Sequence, residues 1–341
     1  VRIVVTGATG NVGLALLRRL ATEPDIEVVG IVRNPPSPDA GPPYDRVRWH
    51  RADVSDPQAV PQLVECLRGA DAVVHLAWQI QPASRRATLR RINLTGTRHV
   101  VEAMLEAGVW RLAFASSVAV YAPGPKNRAV DELWPLTGLQ GSAFSTDKAA
   151  VEAFLDRIER EQPDLRVVRM RQALVLQYAA ASQTLHYFAG HRHPRLRRAL
   201  LPVLPRNKRL RGQVIHADDL AEAYLLALRG GQVGAFNLAA DPVLDGRMIA
   251  EELGRRSVPV PLPVLRVLRR VFWRLRLLPN DASWLEVVAA VPIMDCSRAA
   301  RELGWRPQRS ATEAFHEVIV GARAGAGAPA TPLRLVPGYE A

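Results

Sequence analysis

The sequence predicts an α/β fold, a doubly wound parallel sheet carrying a smaller, discontinuous lobe in its C-terminal half. Three observations point to it. The chain opens on a β-branched run that leads into a glycine-rich turn and then into apolar residues at helical spacing. Short apolar strands and amphipathic helices then alternate through residue 170. With 341 residues, 48% of them apolar, the chain can bury a full core.

Arg2 to Val5 reads as a buried parallel strand, Thr6 to Gly10 as a turn, and Asn11 to Leu20 as a helix with Val12, Leu16, Leu17 and Leu20 on one face. The glycines have separate tasks. Gly7 permits the tight exit from the strand, Gly10 lets backbone approach a pyrophosphate, and Gly13 lets the helix pack closely on the strand. The helix N-terminus then offers free N–H groups to an anion. A dinucleotide site of Rossmann type follows, with Gly7, Thr9, Gly10, Asn11, Val12 and Gly13 as its first candidate residues.

Glu27 to Val32 is the second strand, and it ends on Arg33. An NAD site usually carries an acid there for the ribose 2′-hydroxyl, whereas arginine suits a 2′-phosphate. NADP is therefore favoured over NAD. Val47 to His50 is a third strand, after which Asp53 and Val54 are candidates to touch adenine. Ser55-Asp56-Pro57 caps a helix through Leu67. Ala72 to Leu76 is a fourth strand, and Leu76 and Ala77 lie where the cofactor would pass. His75, inside this apolar strand, reads as a satisfied core residue.

Thr88 to Ala107 reads as one long helix containing Asn93. Leu112 to Ala115 is the fifth strand, delivering Ser116 and Ser117 at its carboxyl end, the edge where open α/β sheets bind ligands. The helix Ser142 to Ile158 carries Phe144 and Lys148 on one face, and Arg166 to Met170 is a sixth strand. Residues 1–170 form the dinucleotide-binding core, 171–212 and 240–310 a substrate-binding lobe, 213–239 a return to the core, and 322–341 a loose tail. Within the lobe, residues 192–211 carry eight cations (Arg192, Arg195, Arg197, Arg198, Arg206, Lys208, Arg209, Arg211) and no acid. Pro259 to Pro279 contains a basic amphipathic helix that reads as a lobe helix packed on the core in preference to a membrane-surface helix, which would look the same.

The formal charge is +12, yet all but three of the cations are arginine, the lysines being Lys126, Lys148 and Lys208. No nucleic-acid motif or interleaved aromatic pattern accompanies the charge, so small anionic molecules or an acidic carrier are the expected partners, not nucleic acid. Cys66 and Cys296 have neither metal-ligand nor redox-pair spacing, which leaves no metal site and points to a reducing cytoplasm. A strand starting at residue 1 leaves no room for a signal peptide, and no apolar run is long enough to span a bilayer.

Together several segments resemble the extended short-chain dehydrogenase/reductase superfamily, in its NAD-dependent epimerase/dehydratase branch. Thr6-Gly-Ala-Thr-Gly-Asn-Val-Gly13 is similar to its cofactor loop and Asp71-Ala-Val-Val-His-Leu-Ala77 to its fourth strand. Asn93-Leu-Thr-Gly-Thr97, Ala115-Ser-Ser-Val-Ala-Val-Tyr121, Val214-Ile-His-Ala-Asp-Asp-Leu220 and Phe236-Asn-Leu238 are similar to later markers. The resemblance implies a catalytic serine or threonine, a tyrosine and a lysine. Ser117 falls on the hydroxyl position, Lys148 on the lysine that binds the nicotinamide ribose, and Ser116 beside the cofactor. It also implies a homodimer paired through helices 84–107 and 142–158.

The tyrosine position is occupied by Phe144. Phenylalanine keeps the ring and removes the group that passes a proton as hydride moves. The segment Arg169-Met-Arg-Gln-Ala-Leu-Val-Leu-Gln177-Tyr178 also departs from the family's Arg-Pro pattern in the substrate pocket. The chain is therefore expected to be an enzyme of epimerase/dehydratase or ketoreductase type with altered acid/base chemistry, acting on a hydroxyl- or carbonyl-bearing small molecule, a nucleotide sugar or biosynthetic intermediate. Tyr178, Tyr121 or a water held by Ser117 and Lys148 are candidates to replace the phenol, unless Phe144 is a tyrosine replacement that traps a complex. The rival readings are a non-redox enzyme performing elimination, cyclisation or isomerisation, and a catalytically silent NADP-binding regulator.

Overall fold

A computed structural model describes residues 1–80, 85–189, 203–274 and 283–333. Its first seven strands are β1 (Arg2–Thr6), β2 (Glu27–Val32), β3 (Val47–Arg51), β4 (Ala72–His75), β5 (Arg111–Ser117), β6 (Ala129–Val130) and β7 (Arg166–Gln172). The later ones are β8 (Leu174–Leu176), β9 (Val203–Arg206), β10 (Arg211–His216), β11 (Gly234–Leu238), β12 (Ala240–Asp245), β13 (Arg256–Pro259) and β14 (Ile293–Met294). Seven of them form one parallel sheet in the order β3-β2-β1-β4-β5-β7-β11. The order reverses beside β1, where an open α/β sheet makes its ligand crevice.

Successive residues of β1 feed opposite faces. Ile3 and Val5 pack with Leu16, Leu17 and Leu20 of helix Asn11–Leu20 and with Leu220 and Tyr224 of helix Ala217–Arg229. Val4 packs with Leu63 and Leu67 of helix Val60–Leu67, Met104 of helix Gly96–Glu106, and Leu155 of helix Ala143–Glu161. Both faces are therefore covered, which a parallel sheet requires.

The lobe is built on a three-stranded sheet in which β10 pairs parallel to β8 and antiparallel to β12. Helix Ala311–Arg323 packs on this sheet through Ala311, Ala314 and Val318. Two small parallel pairs, β9 with β13 and β6 with β14, complete it. Of the segment 213–239, helix Ala217–Arg229 and β11 return to the core, while β10 stays with the lobe.

Several expectations need correction. The long helix over Thr88 to Ala107 is interrupted: α-helical turns at Arg86–Arg90 and Gly96–Glu106 flank a π-helical turn at Arg91–Thr95. The buried Asn93 side chain explains the interruption. Its Oδ1 accepts from the Gln79 N–H at 2.8 Å, and its Nδ2 donates to Gln79 O at 2.9 Å, fixing the chain just after β4. The tail expected to be loose from Ala322 is packed as far as Leu333, with Ala326, Ala328, Ala330 and Leu333 all buried. Residues 334–341 lie outside the described residues. The basic amphipathic helix spans Leu262–Arg274. Arg192, Arg195, Arg197 and Arg198 lie outside the described residues, while Arg206, Lys208, Arg209 and Arg211 sit on β9, β10 and the turn between them.

Candidate active site

At the glycine turn, Gly7 has a positive φ of 71°, and its N–H donates to Ile31 O at 3.0 Å. A Cβ there would stand 2.6 Å from the Ala77 nitrogen, so both conformation and space demand glycine. A Cβ on Gly13 would fall onto the Ala8 carbonyl. Gly10 differs: a Cβ would meet only Gly7 O, at 3.4 Å. Its open face adjoins the first turn of helix Asn11–Leu20, which has no side-chain cap and no acid. Those N–H groups are available to an anion, and the loop fits a dinucleotide pyrophosphate.

Thr9 is buried and Val12 half-buried beneath this loop. Asn11 turns its side chain toward the lobe, donating to Val175 O at 3.0 Å while Gln177 Nε2 donates to Asn11 Oδ1 at 2.7 Å. The Leu76 N–H donates to Thr6 O at 3.0 Å, holding Ala77 under Gly7. Arg33 is exposed just beyond β2, with no ion pair among the described residues. Asp53 spends Oδ1 on its own turn, accepting from the Ser55 N–H at 2.9 Å and the Ser55 hydroxyl at 2.8 Å. Val54 is buried, with its carbonyl 2.9 Å from His99 Nδ1.

His75 is a core residue. Thr97 donates to Asn93 O, so it accepts from His75 Nε2, and Thr6 donates to Nδ1. Burial and the nearby Lys148 charge push its pKa down to about 3, so the ring is neutral.

At the end of β5 neighbouring serines part company, because successive strand residues face opposite ways. Ser116 is buried and donates to Glu152. Its hydroxyl proton is thus committed to a buried ion pair. In that pair Arg171 Nε donates to Glu152 Oε1 at 3.0 Å and Nη2 to Oε2 at 2.5 Å. Arg171 also donates to the Tyr121 hydroxyl, which donates in turn to Asn237 Oδ1 at 2.6 Å. Burial raises the Tyr121 phenol to about 12, so it is not a ready proton donor. Ser117 is half-buried, and its Oγ accepts from the Ala119 N–H at 3.2 Å, which leaves its proton free to donate.

Helix Ala143–Glu161, capped by Ser142, brings Phe144 and Lys148 to the same edge. Phe144 packs beside Ala119, Val287 and Val291, edge-on to Trp78 at 6.4 Å between ring centroids and tilted against Trp284 at 5.6 Å. Lys148 is buried, donates to Ala115 O, and stands 3.6 Å from the centre of the Trp78 ring and 4.8 Å from that of Phe114. Burial lowers its ammonium to about 7, partly opposed by Glu152 one helical turn on. Tyr178 lies elsewhere in its contacts. It is 42% exposed and fixed to helix Ala311–Arg323, its N–H donating to Glu317 at 2.8 Å and its ring lying against Gly321.

Trp78 is the residue that sequence reasoning missed. Its Nε1 is buried without a hydrogen-bond partner, on a ring that touches both Lys148 and Phe144. The available signal was its place, immediately after Ala77 at the mouth of β4. Among the described residues no cluster of three His, Cys, Asp or Glu side chains could hold a metal, and no helix is long and apolar enough to cross a membrane.

The family model described as "NAD dependent epimerase/dehydratase family" matches residues 3–239. An uncharacterized protein of Mycobacterium tuberculosis (strain ATCC 25618 / H37Rv) is 31% identical over 329 residues, covering 96% of this chain and 30% of the relative. The chain thus spans about a third of the length of the first curated relatives it matches. A second uncharacterized protein of the same strain is 29% identical over 332 residues, covering 94% of this chain and 83% of the relative. Among solved structures, a UDP-glucose-4-epimerase from Stenotrophomonas maltophila with bound NAD and formylated UDP-arabinopyranose aligns with a TM-score of 0.70. That alignment is 21% identical and covers 95% of this chain and 98% of the other. A dTDP-glucose 4,6-dehydratase from Streptomyces venezuelae with NAD and TYD bound aligns at 0.68, with 20% identity over 95% and 97% of the two chains. At these identities the likeness speaks to the fold. With the family model covering more than half its length and the parallel sheet and glycine turn in place, the chain belongs to the NAD-dependent epimerase/dehydratase family.

Proposed function

We propose that this chain is a nicotinamide-nucleotide-binding enzyme of epimerase/dehydratase type that acts on a hydroxyl- or carbonyl-bearing small molecule without a catalytic phenol. The observation that carries this reading is the Phe144 ring, packed between Trp78 and Trp284 one helical turn from Lys148. In it, the Gly7–Gly13 loop and the uncapped helix N-terminus hold the pyrophosphate, and Lys148 holds the nicotinamide ribose. When bound, the coenzyme supplies a hydride acceptor or donor. Ser117 orients the reacting oxygen by donating its free hydroxyl proton.

Lys148 then takes on part of the missing acid/base task. An amine near pKa 7 exists in both protonation states at neutral pH, and it can exchange a proton through a water shared with Ser117. Tyr121 is a poor substitute, since its phenol is held in the Arg171–Asn237 network. Tyr178 is held against helix Ala311–Arg323. Nucleotide sugars, one of which is bound in the Stenotrophomonas maltophila neighbour, are the first substrates to try, together with other anionic biosynthetic intermediates. The exposed Arg33 favours NADP over NAD, and the helices Gly96–Glu106 and Ala143–Glu161 are the surfaces through which a homodimer would form.

A second reading rests on the same ring. An apolar clamp without an ionisable atom also suits a non-redox elimination, cyclisation or isomerisation. Following the absorbance of bound nicotinamide during turnover separates them. A transient or net change supports redox chemistry, and turnover with a flat signal supports the second reading. Nucleotide binding without turnover of any nucleotide sugar would argue for a silent binder.

A further inference from the structure

Helix Leu262–Arg274 carries a second surface that the reaction does not use. Leu265 faces inward and is buried, and Arg266 binds Glu286 through two hydrogen bonds of 2.8 and 2.7 Å. These contacts fix which side of the helix meets the lobe. The opposite side presents Val264, Val267, Leu268 and Val271, which are 46%, 59%, 43% and 44% exposed. Spacings of three and four residues align them in one stripe. Exposed Arg270 and Arg274 run along its edge, and the 13-residue helix contains no acid.

More positive charge gathers at the start of this helix. The Val260 N–H donates to Arg206 O at 3.0 Å, and Asn207 Nδ2 donates to Val260 O at 2.8 Å. The turn bearing exposed Arg206, Lys208 and Arg209 is thereby tied to the helix entrance. From this juxtaposition we propose that helix Leu262–Arg274 docks on an anionic phospholipid surface, with its four aliphatic side chains entering the headgroup boundary and the arginines meeting lipid phosphates.

Charge complementarity decides the occupant. A nucleic acid would satisfy the arginines and leave the valines in water. A second copy of the same cationic face is repelled in a chain of net charge +12. An anionic bilayer accommodates both halves. The helix is about 20 Å long, short of the roughly 30 Å hydrocarbon core, so it lies in the interfacial plane rather than spanning.

The test is co-sedimentation of the full chain with vesicles of phosphatidylcholine, with or without phosphatidylglycerol. Binding is expected to phosphatidylglycerol-containing vesicles, weakening as salt rises. The double variant Val267→Asp, Val271→Asp is expected to bind at least about tenfold more weakly, since it removes aliphatic groups that would enter the headgroup boundary and adds repulsive charge. The variant Arg270→Glu, Arg274→Glu probes the charged edge without touching the stripe and is expected to lose the preference for anionic lipid. Unfolding temperature and nicotinamide-nucleotide affinity, read on the same samples, should stay at wild-type values. Failure of wild type to bind anionic vesicles would overturn the proposal, as would vesicle binding unchanged by both variants. So would a wild-type dimer that these substitutions alone dissociate, which would give the face to a second copy.

Discussion

The two ends of the crevice are built on different terms. At the glycine turn, backbone does the work: Gly7 and Gly13 are dictated by atoms of Ala77 and Ala8, and the open face of Gly10 is left for a ligand. At the end of β5, side chains do it: Trp78 and Trp284 flank the Phe144 ring, and Lys148 stands against Trp78. Backbone constraints leave the nucleotide end little room to vary. Side-chain identity leaves the other end free to vary on the same scaffold.

Placing a phenol at position 144 is the largest expected effect if the proposed function holds. Phe144→Tyr should raise the rate at which nucleotide sugars reduce bound nicotinamide by about a hundred- to ten-thousandfold, the usual worth of a positioned acid/base. An unchanged rate would mean that the tyrosine position no longer faces the chemistry. Next comes the buried pair beneath Ser116. Glu152→Gln leaves Arg171 charged and unmatched, and denaturant unfolding should show a loss of about 3–5 kcal/mol.

The glycines sharpen the comparison further. Gly13→Val drives a side chain into Ala8 and should cost about 3 kcal/mol or more in stability. Gly10→Ala meets little protein, so its melting temperature should stay near wild type while nicotinamide-nucleotide affinity falls by about tenfold or more. Equal stability losses at both positions would remove the distinction drawn here.

Smaller effects concern the Lys148 charge. Burial lowers its folded pKa to about 7 against 10.5 for the free group. The folded chain therefore carries the full cost of that charge below about pH 7 and sheds it as pH rises toward about 10, where the unfolded chain still binds the proton. Lys148→Met is expected to be more stabilising at about pH 6 than at about pH 9, a difference that paired melting curves would reveal. Trp78→Leu removes a cation–π contact of about 1 kcal/mol, so the Lys148 amine should become reactive toward acylation at still lower pH.

The glycine turn was legible because its signals are local. β1, the turn and the first helix follow one another within twenty residues, and each glycine's task can be read from its spacing. The four-residue spacing of Phe144 and Lys148 placed both on one helix, as helix Ala143–Glu161 has them. The role of Trp78 was not legible, since it depends on a ring folding onto a lysine 70 residues away in sequence. The π-helical turn at Arg91–Thr95 escaped for a similar reason, as its Asn93 side chain is held by the backbone of Gln79 on another segment. Helix Ala311–Arg323 is a different lesson. Its capping box, Ser310 with Glu313, is a local signal that the reading passed over.

Calorimetric titration of NAD and NADP into the wild-type chain and into Lys148→Met bears most directly on the claim that a nicotinamide nucleotide crosses the glycine turn and ends at this lysine. Saturable binding to wild type, weakened by about tenfold or more in Lys148→Met, is the expected result. Absence of binding by both nucleotides, or equal affinity in the two proteins, would contradict it.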